Sequence, residues 1–184
     1  MVAADDLTDR PGYRSAVDDR PSLEAIVLYL GESVIRHVYP HGRETIRAPW
    51  DPELDPTESI VDSVAELGLA PAMAHSTSWR IVRRQIVLTF LVVVEAPREL
   101  PVTCEVEQVT RAELARGRAT GAPVAVHLSQ VVEHGLRHLA WLVNEDDAIH
   151  DALAGWETAL AGWTAALGDY RPEPFRAFGH DPAV

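Results

Sequence analysis

The chain contains no lysine: all sixteen of its basic Lys/Arg side chains are arginines. Schiff-base catalysis, P-loop phosphate binding and protein-kinase chemistry each use a lysine, so these functions are excluded. A GC-rich coding bias is an ordinary cause of such an absence. The missing lysine therefore limits the possible chemistry without pointing to a function.

Cysteine and long apolar runs are also scarce. A single thiol, Cys104, cannot form an intramolecular disulfide or a Cys-based zinc site, and it suits a reducing cytoplasm. The N-terminal stretch MVAADDLTDRPGYR has neither a basic n-region nor an apolar h-region, so we expect no signal peptide. The longest apolar run, IVLTFLVVVEA, is about half as long as a membrane-spanning helix. We expect a cytoplasmic protein without a membrane segment.

Positive charge is in deficit, since the formal net charge is −12 over 184 residues. Such a chain repels the phosphates of nucleic acids at long range, so we expect no nucleic-acid partner. Hydrophobic residues make up 47% of the chain, which is typical of a folded domain. The length suffices for one domain with a substantial core.

Apolar periodicity predicts strands first and helices afterwards. EAIVLYL and SVIRHVY read as a hairpin, and ETIRAPW includes a short strand within a proline-rich loop. STSWRIVRRQ leads into the strand IVLTFLVVVEA. VTCEVEQV alternates, which places Val102, Cys104 and Val106 on its buried side. We expect TRAELARG to form a short helical turn.

Three helices are predicted. The first begins at Asp55 as its cap and Pro56, and stops at Gly68. The second runs from Pro123 to about Val143. The third contains LAGWETALAGWTAAL, whose sevenfold repeat aligns Leu153, Trp156, Leu160, Trp163 and Leu167 in a stripe that packs on a helix or a sheet. The tail beyond it offers Phe175 and Phe178 as anchors.

The order of these elements predicts an α+β fold: a mixed sheet with one helix after a proline-rich loop, followed by two C-terminal helices. We expect a mobile acidic arm over residues 1–22, an α+β domain over 23–120, and a helical extension over 121–184 packed on that domain.

One face of the first helix is acidic. Glu58, Asp62 and Glu66 are spaced four residues apart, opposite the apolar Ile60 and Val64. Such a row of carboxylates can hold Mg²⁺ or Mn²⁺, which prefer oxygen ligands. The competing explanation is the solvated face of an ordinary amphipathic helix.

The stretch DPELDPTESIVDSVAELGLAP, together with the strands around it, resembles the Nudix box of the Nudix hydrolase family over residues 24–118. Aligning Gly68 and Leu69 with the end of the box places Glu66 on the last glutamate of the box. Asp62 then falls on the glutamate of its Arg-Glu step and Glu53 on its early glutamate. The resemblance implies a Nudix-like fold, with Glu53, Asp62 and Glu66 as catalytic residues and Asp62 and Glu66 as ligands of Mg²⁺ or Mn²⁺.

Four positions depart from the box. Arg47 stands at the glycine, Val61 at the arginine, Ser63 at an apolar position, and Ala65 at the first glutamate of the pair. Ala65 removes a glutamate that serves as a metal ligand in the box. Val61 removes the arginine that orients another ligand. The resemblance therefore implies ligand binding with at most vestigial pyrophosphate hydrolysis.

A second candidate site lies in HSTSWRIVRR. Arginine forks suit phosphate or carboxylate groups, and an indole can stack on a base. The candidate ligand-binding residues are Trp79, Arg80, Arg83 and Arg84. The alternative is an edge strand whose cations balance an acidic protein. His75 and Ser76 are adjacent, but adjacency in sequence is not the geometry of a catalytic triad.

HLSQVVEHGLRHLAW carries three histidines on one edge of the predicted second helix. His134 and His138 have the i, i+4 spacing of a transition-metal pair, while His127 is too far away to join them. The alternative is a row of boundary side chains beside Trp141. Gly135 faces the apolar arc, which indicates close approach of another element.

Two further histidines, His37 and His41, alternate along the second strand and would share a face if the strand extends that far. Two histidines at this spacing can reach one metal ion, although surface histidines are common.

The favoured function is binding of a nucleotide or other phosphorylated small ligand by a degenerate Nudix-like domain. The competing class is a non-enzymatic interaction protein. It would use the Trp-bearing helices and the His127–Trp141 edge, with a protein partner or a second copy of the chain. A transition-metal site at His134/His138 is a third class.

Overall fold

The computed structural model describes residues 21–82, 85–114, 126–154 and 157–171. Residues 1–20 of the predicted arm lie outside these ranges, as do Arg83, Arg84, Trp156, Phe175 and Phe178. Ser22, the last residue of the predicted arm, is buried and begins the first strand. The strands are β1 (Ser22–Gly31), β2 (Val34–Pro40), β3 (Ile46–Pro49), β4 (Pro71–Val82), β5 (Gln85–Val94) and β6 (Cys104–Gln108). The helices are α1 (Pro56–Ala65), α2 (Leu128–Glu145), α3 (Asp147–Ala154) and α4 (Glu157–Ala166). The predicted α+β class is confirmed.

The strands form one mixed sheet in the order β4-β5-β1-β2-β6, with β3 also paired to β1. Strand β1 is antiparallel to β2 and to β3, and it is parallel to β5. The predicted hairpin of β1 and β2 is confirmed by the register Leu28↔His37. The β1–β5 pairing is parallel because the chain between them crosses one face of the sheet through α1.

Alternation along β1 divides the core into two layers. Leu23, Ala25 and Val27 face the layer that contains Ile60 and Val64 of α1. Ile26 and Leu28 face the opposite layer, which is filled by α2, α3 and α4. Because successive strand side chains point to opposite faces, β1 has to be apolar almost throughout, as its sequence is. We call these sides the α1 face and the α2 face.

Helix α1 begins as predicted. The side chain of Asp55 accepts hydrogen bonds from the backbone N–H groups of Thr57 and Glu58, with Pro56 in the first turn. The helix ends at Ala65, and Gly68 turns the chain with φ of +82°. This left-handed conformation explains the glycine.

The C-terminal helices differ from the prediction in their bounds. Helix α2 begins at Leu128, after the non-helical Val126 and His127, and the predicted start at Pro123 lies outside the described residues. The predicted third helix consists of two described segments, α3 and α4, and Asp146 caps α3 through the N–H groups of Ala148 and Ile149. The stripe residues Leu153, Trp163 and Leu167 are buried in the α2 face, in the same apolar cluster as Ile26 and Leu28 of β1.

Three local predictions were wrong. Residues 71–82 form a full strand where a lead-in was expected, since two bulges let this long polar segment pair with β5. Residues 110–114, the described part of TRAELARG, are not helical. Of the three residues predicted to be buried in VTCEVEQV, only Cys104 is buried: Val102 lies in the turn before β6, and Val106 is exposed because β6 lies at the edge of the described sheet.

No described helix combines the length and apolarity that crossing a bilayer requires.

Candidate functional site

A cleft of about 360 Å³ opens on the α2 face, between β2, the end of β6 and the first turn of α2. Its size is within the range of small-molecule sites. Most of its lining side chains can form hydrogen bonds. The lining residues are His37, Glu44, Glu107, Gln108, Val109, Thr110, His127, Leu128, Ser129 and Val132. We call it the His37 cleft.

His37 forms the buried part of the wall and is only 1% exposed. Its Nδ1 lies 3.3 Å from Oε1 of Glu107, the residue directly opposite on β6. Burial lowers the pKa of His37 below 6.5, against the raising effect of Glu107 and Glu44. A neutral His37 whose Nδ1–H donates to Glu107 leaves Nε2 as a hydrogen-bond acceptor.

Nε2 of His37 is buried and has no hydrogen-bond partner among the described residues. A buried polar atom without a partner costs free energy that a suitable donor would recover. Ser22 Oγ and Trp50 Nε1 are also buried without a hydrogen-bond partner among the described residues, but neither residue lines the His37 cleft. A side chain in the cleft wall therefore carries a buried nitrogen with an unmade hydrogen bond.

His37 and His41 do not form the pair that their alternation suggested. His41 follows the last residue of β2, is exposed, and lies outside the cleft lining. Its Nδ1 lies 2.6 Å from Glu105 and its Nε2 2.9 Å from the carbonyl oxygen of Val102. The hydrogen bond with Glu105 raises the pKa of His41 above 6.5. The strand ends too early for both histidines to share its face.

Two arginines around a buried glutamate fix one side of the cleft. Glu133 on α2 is bonded by the guanidinium groups of Arg111 and Arg137 and by the N–H of Ala112. The guanidinium of Arg111 also lies 4.5 Å from the ring centroid of Tyr170. These contacts hold the segment after β6, which carries the cleft residues up to Thr110, against α2.

The α1 carboxylates lie elsewhere. Glu53, Glu58, Asp62 and Glu66 are all exposed, and α1 packs on the face of the sheet opposite the His37 cleft. In the described ranges, no three His, Cys, Asp or Glu side chains are arranged to hold a metal ion as they stand. The structure thus leaves Glu53, Asp62 and Glu66 exposed, on α1 or next to its ends, and does not arrange them as one metal site.

The predicted ligand residues on β4 are divided between the two faces. Arg80 pairs with Glu24, which is 1% exposed and also accepts hydrogen bonds from Arg47 and Thr45 at 3.1 Å each. Trp79, the next residue along the strand, is 66% exposed and points to the other side. Arg80 is therefore occupied in a structural ion-pair network, and Arg83 and Arg84 lie outside the described residues.

The row of histidines on α2 lies at the boundary between the core and the protein surface. The ring of His138 lies 5.0 Å from that of His75 on β4 and 5.9 Å from that of Trp141. Burial lowers the pKa of His138, and the nearby His75 and His134 lower it further. Gly135 sits where an added Cβ would be 3.2 Å from Leu91, which confirms the predicted close approach.

The fold buries part of the tryptophan-bearing surface that the competing hypothesis assigned to a protein partner. Trp163 is 1% exposed within the core, so its indole is not available to a partner, whereas Trp141 is 51% exposed. The indole of Trp163 therefore belongs to the core, and the use of the stripe by a protein partner stays a prediction.

Sequence reasoning missed Glu24, Glu44 and Glu107. Glu24 was detectable in principle, because a single carboxylate inside the apolar run LEAIVLYL predicts a buried charge with a partner. Nothing local marks Glu44 or Glu107, since their role depends on which strands pair.

No protein-family model matches the chain, and no curated protein matches it. Among solved structures, it is similar to a crystal structure of Ap4A hydrolase from C. elegans, at 9% identity and a TM-score of 0.36, covering 49% of this chain and 80% of that one. It is also similar to a protein from Chromobacterium violaceum assigned to the nudix hydrolase family, at 14% identity and a TM-score of 0.43, covering 81% and 94%. Nudix hydrolases are thus among the similar structures, as the resemblance of the sequence implied. Both TM-scores lie below 0.5, so this likeness establishes no shared activity.

Proposed function

We propose that the His37 cleft binds a small phosphorylated ligand, such as a nucleotide or a sugar phosphate. The observation that carries the proposal is the buried Nε2 of His37, which has no partner among the described residues and belongs to a side chain in the cleft wall. A ligand hydroxyl or amino group that donates to this atom recovers the free energy of an unmade hydrogen bond.

The first turn of α2 supplies the phosphate-binding part of the proposal. Leu128 and Ser129 line the cleft and are the first two residues of α2, where backbone N–H groups have no acceptor inside the helix. The N–H of Gln130, the next residue, already donates to the carbonyl oxygen of His127. The N-terminal end of an 18-residue helix also carries partial positive charge, which favours an anionic group. The hydroxyl of Ser129 adds a further donor.

Glu44 and Glu107 determine which other chemical groups of a ligand the cleft favours. Both are exposed carboxylates in the cleft lining, so they favour hydroxyl and amino groups and repel a bare phosphate. A Mg²⁺ or Mn²⁺ ion bound to the ligand's phosphates would offset this repulsion. The proposal thus concerns a ligand with donor groups at one end and a phosphate, carried with a divalent cation, at the other.

Hydrolysis through Glu53, Asp62 and Glu66 is a separate proposal. These carboxylates lie on α1 or next to its ends, and α1 covers the other face of the sheet, so they cannot act on a ligand held in the His37 cleft. If they hold Mg²⁺ or Mn²⁺, the substrate has to bind on the α1 face. Variants of the two faces therefore distinguish binding in the cleft from hydrolysis at α1.

The experiment is a thermal-shift and calorimetric screen of nucleoside mono-, di- and triphosphates and of sugar phosphates, each with and without MgCl₂. A ligand at about 100 times its Kd adds about 2.7 kcal/mol to the free energy of unfolding, which raises Tm measurably. Ser129→Glu places a negative charge in the cleft while favouring the helix N-terminus, so this variant should fold and lose binding. Asp62→Asn and His41→Gln are the matched controls and should bind as the wild type does.

Binding that is lost in Ser129→Glu and retained in Asp62→Asn supports the proposal. Binding or phosphate release that is lost in Asp62→Asn and retained in Ser129→Glu overturns the cleft assignment and favours the α1 face. The absence of any ligand that raises Tm overturns both.

A further inference from the structure

We propose a transition-metal site on the outer surface of the α2 face, formed by His75 of β4 with His138 and His134 of α2. The site is separate from the His37 cleft, and it takes Zn²⁺, Ni²⁺ or Cu²⁺ rather than Mg²⁺, because neutral imidazole nitrogen suits these ions. The sequence offered only His134 and His138, and the fold adds the third ring.

The distance between His75 and His138 carries the proposal. Their ring centroids lie 5.0 Å apart with an angle of 70° between the ring planes. With metal–nitrogen bonds of 2.0–2.1 Å and a tetrahedral angle, two imidazoles that share an ion have their ring centres about 5 Å apart. The two rings are therefore spaced as two ligands of one ion would be.

His134 completes the set. It precedes His138 by one helical turn, and side chains at i and i+4 have their Cβ atoms about 5–6 Å apart on one helix face. His134 is exposed, so its side chain is free to change rotamer. The described side chains are not yet arranged around a common point, and the turn of His134 toward His138 is the step that binding requires.

The backbone beneath the site is rigid. Gly135, next to His134, lets α2 approach β5 so closely that a Cβ there would meet Leu91 at 3.2 Å. Leu136 and Leu139, on either side of His138, are fully buried. A helix seated in this way fixes two of the ligands relative to β4, so little conformational entropy is lost when an ion binds.

The test uses the full chain without a histidine tag, titrated separately with ZnCl₂, NiCl₂ and CuCl₂ in a buffer that does not bind metal. Isothermal calorimetry gives affinity and stoichiometry. Trp141, whose ring lies 5.9 Å from that of His138, should report Cu²⁺ or Ni²⁺ by fluorescence quenching. We expect one ion per chain and a metal-dependent rise in Tm.

Single variants assign the ligands. Loss of even an outer-shell partner typically lowers metal affinity 10- to 100-fold, so His75→Ala, His138→Ala and His134→Ala should each weaken binding by about tenfold or more. His41→Ala is the control, since it removes an exposed histidine at the far end of the strand order, and it should leave the affinity unchanged. Because His134 is exposed, His134→Ala should fold normally and provides a test even if the His75 and His138 variants lose stability.

Any of three results would overturn the site. These are an unchanged metal affinity in His134→Ala or His75→Ala, no ion bound by the wild type, and a loss of metal affinity in His41→Ala equal to that in the ligand variants. Persistence of the His37-cleft ligand in these three variants would show that the two sites are independent. Failure of the ligand screen leaves the metal titration fully interpretable.

Discussion

Arg111 and Glu133 lie 22 residues apart in sequence and form a two-pronged ion pair behind the cleft: Nε of Arg111 lies 3.0 Å from Oε2 of Glu133, and Nη2 lies 2.9 Å from Oε1. The Glu133 side chain is fully buried, whereas Arg111 remains partly exposed. The pair ties the segment after β6 to α2, so the cleft wall depends on it.

Glu133→Gln should lower the free energy of unfolding by about 2–3 kcal/mol, because it leaves Arg111 and Arg137 without their buried counter-charge. Urea unfolding followed by circular dichroism measures the change. Glu145→Gln, at the exposed end of the same helix, should change stability by less than about 0.5 kcal/mol. Equal losses in the two variants would contradict the structural role of the pair.

The same pair predicts a pH dependence. Burial alone would raise the pKa of Glu133, but the hydrogen bonds from Arg111, Arg137 and Ala112 outweigh it and leave the pKa below 4.5. In the unfolded chain the carboxyl binds a proton at a higher pH than in the native one, so stability falls as the pH drops below 4.5. The stability difference between wild type and Glu133→Gln should be constant near pH 7 and shrink in acid. Parallel pH curves for the two proteins would be the contrary result.

Two histidines beside glutamates on β6 should titrate in opposite directions. Burial lowers the pKa of His37, and the hydrogen bond with Glu105 raises that of the exposed His41. An NMR titration of the ring nitrogens should place their midpoints on either side of 6.5. Glu105→Gln should bring the midpoint of His41 down toward 6.5 and leave His37 unchanged. A midpoint for His37 above that of His41 would contradict the burial argument.

Gly68→Ala should destabilise the protein by about 1 kcal/mol, because the residue turns the chain after α1 with φ of +82° and alanine is strained there. Gly168→Ala is a suitable control: its φ is not positive and no atom lies within 4 Å of an added Cβ. Thermal unfolding of both variants measures the difference. Equal Tm values would show that the left-handed turn is not retained in solution.

The sequence by itself determined the elements whose signals are local. An apolar run with β-branched residues becomes β1 or β5, and Asp55 followed by Pro56 starts a helix, because these preferences act within a few residues of the chain. Likewise, Gly68 and Gly135 were interpretable from their neighbours. The bounds were less exact, as the non-helical Val126 and His127 before α2 show, since helix ends fray and depend on their surroundings.

Only the tertiary structure decided which side chains meet. His37 and Glu107 are 70 residues apart and become partners through the register of β2 and β6. His75 reaches His138 because α2 lies across the sheet next to β4. Strand register and helix placement depend on the summed burial of the whole core, so no local pattern contains them. The candidate cleft and the candidate metal site both arise from contacts of this kind.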